Sequence, residues 1–113
     1  MVLKLKRIYD GYSLEDGYRI LVERLWPRGI SKEEAHIDLW KKEVAPSNEL
    51  RKWFNHEDAK WEEFQRRYMD ELALDREFEE LKKIVSSHGV VTLVFSSRNT
   101  EHNNAMVLFN MLK

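Results

Sequence analysis

The chain has 113 residues, of which 42% are hydrophobic and 35% charged, with a net charge of -1. This composition argues against a disordered chain and predicts one domain over residues 1–113. Because the chain contains no cysteine, disulfides, cysteine-bound zinc and thiol nucleophiles are excluded. No apolar run approaches the roughly 20 residues that span a membrane. The start is also too short in apolar residues for a signal peptide, so we expect a cytoplasmic location.

The charges are unevenly distributed along the chain. Residues 1–32 contain seven Lys or Arg and four Asp or Glu, whereas residues 57–80 contain ten acidic and four basic residues. The basic part is suited to attracting an anionic ligand, and the acidic part would repel nucleic acid. We therefore expect a small anionic ligand rather than nucleic acid as a partner, and no membrane contact. The acidic segment is typical of a solvated helix face.

Two strands are predicted in the first 25 residues. The first is Leu3–Ile8, and the second is Tyr18–Leu25, which has apolar residues on both faces, as in a sheet covered on both sides. The segment Trp26-Pro27-Arg28-Gly29 ends the second strand, because proline cannot donate to a ladder and glycine permits a left-handed turn. Residues 37–43 show no clean apolar face and are left unassigned.

Helices are predicted in the middle of the chain and at its end. Ser31 and Glu34 form a capping box for a short turn, and Ser47 caps the next helix. A strand over residues 90–97 precedes a last helix from Thr100, which we expect to be its cap. The predicted apolar stripes are Leu50, Trp53 and Phe54; Trp61, Phe64, Tyr68 and Leu72; Phe78, Leu81, Ile84 and Val85; and Ala105, Leu108, Phe109 and Leu112.

Strands separated by helices predict an α/β fold, a small three-layer domain with a largely parallel sheet flanked by helices. If the strands over residues 18–25 and 90–97 run parallel, their carboxyl ends share one edge of the sheet, where α/β proteins bind ligands. Arginine forks, hydroxyls and helix N–H groups meeting there would bind an anion. The residues predicted at this ligand site are Arg24, Trp26, Arg28, Gly29, Ser96, Ser97, Arg98 and Asn103, with His102 as the catalytic proton carrier.

Each of these residues also has a purely structural interpretation. Arg24 and Arg28 are equally suited to bonding loop carbonyls or pairing with acids. His102 and Asn103 are equally suited to capping the helix, and Ser96 to bonding the following turn. His56 could line the same cleft. The four histidines lack the spacing of paired metal ligands, so no metal and no cofactor are predicted.

Several motifs resemble the YeaO-like family, a branch of the domain of unknown function 488. They are Arg24-Leu25-Trp26-Pro27-Arg28-Gly29, Asp38-Leu39-Trp40, Ala45-Pro46-Ser47, Leu50-Arg51-Lys52-Trp53-Phe54 and Glu101-His102-Asn103-Asn104-Ala105. The resemblance implies a small single-domain bacterial or archaeal α/β protein and brings no activity with it. The broader family places cysteine-containing motifs after the corresponding late strand, where this chain has Ser96 and Ser97.

Three functions are compatible with these observations. The first is a site for a small ligand that is anionic or bears phosphate, at the carboxyl edge of the sheet, with catalysis left open. The second is a nucleic-acid or regulatory binding module without catalysis, and the third is a protein-interaction domain. The sequence does not determine the ligand or the oligomeric state.

Overall fold

The computed structural model describes residues 2–113 and arranges four strands in one parallel sheet, in the order β1-β4-β2-β3. The strands are β1 (Val2–Arg7), β2 (Tyr18–Leu21), β3 (Leu39–Trp40) and β4 (Val90–Phe95). The central strand β4 is flanked by β1 and β2, and Leu93 lies opposite both Leu5 and Ile20. The carboxyl ends of all the strands therefore lie at the same edge of the sheet.

Five α-helices connect or follow the strands: α1 (Lys32–Ala35), α2 (Asn48–Phe54), α3 (Trp61–Ala73), α4 (Arg76–Ser86) and α5 (Asn104–Leu112). Their starts follow local capping chemistry. Ser31 forms the predicted capping box with Glu34, and the Ser47 hydroxyl accepts from the Leu50 N–H. Asp75 caps α4 in the same manner. No helix within residues 2–113 is long and apolar enough to cross a membrane.

The two faces of the sheet bury different amounts of apolar surface. On one face, Ile20 and Leu93 pack into a large core built with α2, α3, α4 and α5. On the other face, Leu21 and Val94 form a smaller cluster with Ile8 and Ala35, against which Trp26 and Trp40 pack. The predicted α/β fold with helices around a parallel sheet is confirmed. The layer over the second face is thin, because only α1 and loops cover it.

A buried ion-pair network completes the second face. Arg19 is fully buried and donates to the Asp16 carboxylate at 2.5 Å, to the Ala35 carbonyl at 2.9 Å and to the His36 carbonyl at 3.2 Å. Lys6 lies 3.1 Å from the same carboxylate. Burial raises the pKa of Asp16, but hydrogen bonds from Lys6, Ser13 and Arg19 outweigh it and hold that pKa below its ordinary value of 3.8.

The sequence misplaces several element ends. Strand β1 covers Val2–Arg7 rather than Leu3–Ile8, and β4 stops at Phe95 rather than at residue 97. Strand β2 stops at Leu21 rather than Leu25, and Leu25 is 69% exposed. Helix α5 begins at Asn104 with Asn103 as its cap, so Thr100 is not the cap. The reason is that the Asn99 side chain accepts from the N–H groups of Glu101 and His102 and folds this segment into a turn.

Candidate functional site

A cleft of about 550 Å³ lies beyond the carboxyl ends of β2 and β4. It is lined by the loop after β2, by the segment before α2 and α2 itself, and by the segment between β4 and α5; we call it the main cleft. The predicted parallel orientation of β2 and β4 is confirmed; the two strands pair directly, and the Val22 N–H extends this pairing by donating to the Val94 carbonyl at 3.1 Å. This pairing brings the two exit loops to one edge.

Four cationic side chains line the main cleft: Arg24, Arg28, Arg51 and Lys52. Within residues 2–113, none of them forms a salt bridge. Arg28, Arg51 and Lys52 are exposed to solvent. Their positive charge is therefore not paired with a carboxylate in the described part of the fold and is available to an anion.

Arg24 is partly used by the fold. Its Nη2 donates to the carbonyls of Ala45 and Pro46, both at 3.2 Å. Bonding of loop carbonyls is one of the two roles that the sequence analysis considered for this arginine. Its Nε is buried and has no acceptor among the described residues. Arg24 therefore fixes the loop before α2 and lends its charge to the cleft.

One carboxylate, Glu23, lines the same cleft, and the sequence analysis did not assign it a role. Its Oε2 accepts from the Ser96 N–H at 2.9 Å, and its carbonyl accepts from Trp40 Nε1 at 2.6 Å. These bonds explain why β2 ends early, since the Glu23 side chain bonds the first residue of the loop that follows β4.

Burial raises the pKa of the Tyr68 hydroxyl well above its ordinary value of 10, and the negative charges of Glu23 and Glu71 add to this effect.

His102 precedes the cap of α5 and is held by three contacts. Its Nδ1 lies 2.8 Å from an Asp58 carboxylate oxygen, its ring stacks on Trp61 with centroids 4.7 Å apart, and its N–H donates to Asn99. Because a carboxylate only accepts, Nδ1 carries the proton, and Nε2 is left without a partner in residues 2–113. Asp58 lies 44 residues away along the chain, and no sequence signal pointed to it.

The two serines after β4 do not form a nucleophile with His102. The Ser97 hydroxyl accepts from the Asn99 N–H at 3.1 Å, and its carbonyl accepts from Arg7 at 2.8 Å. Ser97, rather than Ser96, therefore bonds the following turn. In the described chain, no hydrogen bond joins a serine hydroxyl to His102, and no group of three acidic or histidine side chains is placed to hold a metal ion.

Three predicted site residues have mainly structural contacts. Trp26 lines the main cleft, but its Nε1 donates to the Ile30 carbonyl at 2.7 Å and its ring packs edge-on against Trp40. Gly29 adopts a φ of 77° in the turn and does not line the cleft. Asn103 is 3% exposed, because its side chain caps α5 and bonds the Asn99 carbonyl.

Arg98 lies in a neighbouring recess rather than in the main cleft. The recess shares His56, Ser96, Ser97 and His102 with the main cleft. His56 has a φ of 56°, directly after Asn55 at 47°, and these two left-handed residues turn the chain from α2 toward α3. The structure thus brings Arg24, Arg28 and His102 to one cleft and puts Arg98 beside it.

Arg51 and Lys52 are the cationic residues that the sequence analysis missed. They lie on α2 between the buried Leu50 and Phe54, and both side chains are exposed and line the cleft. A usable signal was present, since a segment that follows a parallel strand begins at the carboxyl edge of the sheet. The two-residue strand β3 was too short to be recognised, so the position of α2 was not predicted.

The comparisons with known proteins agree on one family. A family model described as the inactive DUF488-N3 subclade matches residues 2–113. The chain is 42% identical over 113 residues to the uncharacterized protein YeaO of Escherichia coli K12, covering all of this chain and 98% of that protein. It is 38% identical over 110 residues to the uncharacterized proteins Mb3100c of Mycobacterium bovis and Rv3073c of Mycobacterium tuberculosis, covering 97% of this chain and 92% of each.

No solved structure matches the chain. Apart from Asp38-Leu39-Trp40, which lies at β3, each motif that resembles the YeaO-like family contributes residues to the main cleft, and the match of the family model extends over nearly the whole sequence. This chain belongs to the YeaO-like DUF488 family, and the family model that it matches is described as the inactive DUF488-N3 subclade.

Proposed function

We propose that the main cleft binds a small phosphate-bearing anion and that the protein acts as a ligand-binding domain. The observation that carries this proposal is the convergence of Arg24, Arg28, Arg51 and Lys52 on one cleft without a salt bridge in the described chain. Cations left unpaired beside one another repel, and an anion that bridges them relieves this repulsion. Guanidinium groups also match the geometry of phosphate oxygens.

Binding without catalysis is the form of this proposal that the observations support. The family model is described as that of an inactive subclade, and the chain has no cysteine after β4. His102 is oriented by Asp58 and Trp61, but no serine hydroxyl in residues 2–113 contacts its ring. We therefore assign His102 to ligand contact through Nε2. The catalytic role of His102 and the cytoplasmic location stay predictions from the sequence.

The test is a titration with inorganic phosphate by calorimetry and thermal shift. Replacing Arg28 and Arg51 with alanine removes two exposed cations whose side chains make no hydrogen bond within residues 2–113, so the fold should be unaffected. Each charge-assisted hydrogen bond contributes about 1.5–3 kcal/mol, so the double variant should bind at least about tenfold more weakly. The matched control replaces Arg66 and Arg76, which are also exposed and lie outside the cleft.

Three outcomes decide between the hypotheses. Saturable phosphate binding that the cleft variant loses and the control keeps supports the proposal. Equal loss in both variants, or no binding by the parent protein, refutes it. Retention of a single-stranded oligonucleotide at low salt, with affinity falling steeply as salt rises, would instead support the nucleic-acid module.

A further inference from the structure

Glu23 is a carboxylate within a cationic cleft, and the fold uses only one of its two carboxylate oxygens. Oε2 accepts from the Ser96 N–H, whereas Oε1 has no donor in residues 2–113 and is not buried. Glu23 also forms no salt bridge with the four cations that line the same cleft. A site for an anion that has no donor hydroxyl gains nothing from this charge, since a carboxylate repels an anion.

We propose that the main cleft recognises the phosphate ester of a sugar with vicinal hydroxyls, the phosphate lying on the cations and the hydroxyls donating to Glu23. This inference rests on the proposed anion site. A carboxylate only accepts, so the part of the ligand beside it must donate. Four cationic side chains disfavour a positively charged donor there, so the donor is neutral, as the hydroxyl groups of a sugar are.

Glu23 is held in place before any ligand arrives. Trp40 Nε1 fixes its carbonyl at 2.6 Å, and the Ser96 N–H fixes its carboxylate at 2.9 Å. Both anchors lie where β3 and β4 end, at the carboxyl edge of the sheet. A polar group fixed in this way loses little freedom on binding, which is the condition for a specificity-determining contact.

The size and the walls of the main cleft suit such an ester. Its volume of about 550 Å³ lies within the range of small-molecule sites. Trp26, Pro27 and Phe54 supply an apolar wall beside the cations. The same chemistry is present in a free sugar phosphate and in a nucleoside 5′-phosphate, whose base would pack on this wall.

Calorimetric titration of the full chain separates these sources. The ligands are inorganic phosphate, ribose 5-phosphate, 2-deoxyribose 5-phosphate and adenosine 5′-monophosphate. We expect ribose 5-phosphate to bind at least about tenfold more tightly than phosphate, and the deoxy sugar to lose most of that gain. Tighter binding of the nucleotide than of ribose 5-phosphate would identify a nucleoside phosphate, and equal or weaker binding a free sugar phosphate.

Failure of this inference is distinct from failure of the anion site. If phosphate binds and ribose 5-phosphate binds no more tightly, the role of Glu23 is refuted and the anion site stands. If none of the four ligands binds, both are refuted. The comparison of ribose with deoxyribose needs no variant, so it holds even where a substitution disturbs folding.

Glu23→Gln gives a second, independent readout. The glutamine side chain retains an oxygen that can accept from the Ser96 N–H, while the negative charge is lost. We expect ribose 5-phosphate to bind about tenfold more weakly, and phosphate to bind equally or more tightly, because a repulsive charge is gone. A parallel weakening of both ligands would overturn the inference. Glu33→Gln, an exposed position outside the cleft, is the matched control.

Discussion

Replacing Asn103 with alanine should destabilise the protein by removing two hydrogen bonds at the start of α5. Its Oδ1 accepts from the Met106 N–H and its Nδ2 donates to the Asn99 carbonyl, both at 2.9 Å. Loss of an N-cap costs about 1 kcal/mol, and a carbonyl left without its donor costs roughly 1–3 kcal/mol. We therefore expect the free energy of unfolding to fall by about 2–4 kcal/mol.

The assay is urea unfolding, in which a lower midpoint at an unchanged slope reports a change in stability alone. Asn110→Ala on the exposed face of the same helix is the control, and it should be neutral or slightly stabilising because alanine favours helices. Asn103→Ser keeps a capping oxygen and should recover about 1 kcal/mol.

The same variants test whether Asn103 belongs to the fold or to the ligand site. Since both polar groups of its side chain are bonded within the protein, Asn103→Ser should bind phosphate with the affinity of the parent. The reasoning is refuted if Asn103→Ala is as stable as Asn110→Ala. It is also refuted if Asn103→Ser retains stability and loses phosphate binding, which would assign the residue to the ligand.

Two further predictions concern residues 16 and 17, which directly precede β2. Gly17→Ala should lower the midpoint of thermal unfolding far more than Gly89→Ala. Gly17 has a φ of 66°, and a Cβ there would lie 2.4 Å from the Val90 carbonyl oxygen, whereas a Cβ at Gly89 meets nothing within 4 Å. Equal effects of the two substitutions would contradict this close approach. The bonds that hold the pKa of Asp16 below 3.8 contribute stability that is present above that pH and is lost as the pH falls through the folded value. In urea unfolding, the difference between the parent and Asp16→Asn should therefore shrink below about pH 4, and a constant difference would argue against this role.

The local features of this fold could be read from the sequence. The caps at Ser31 and Ser47, and the alternation of Ile20 with Leu21 between the two cores, depend on neighbours within four residues or on side-chain periodicity. The run at residues 90–95 forms the buried central strand because its residues are apolar on both faces. Its parallel pairing with β2 followed from the helices between them.

The end of β2, the cap of α5 and the full set of cleft residues were decided by tertiary contacts. The Glu23 carboxylate accepts from the N–H of Ser96, 73 residues away, and the His102 ring is oriented by the carboxylate of Asp58, 44 residues away. Such partners leave no periodic trace in the chain, because they depend on how separate segments pack. The sequence by itself therefore determined three of the four strands and the shared edge at which β2 and β4 end, while only the packing of α2 and the exit loops determined which charges meet there.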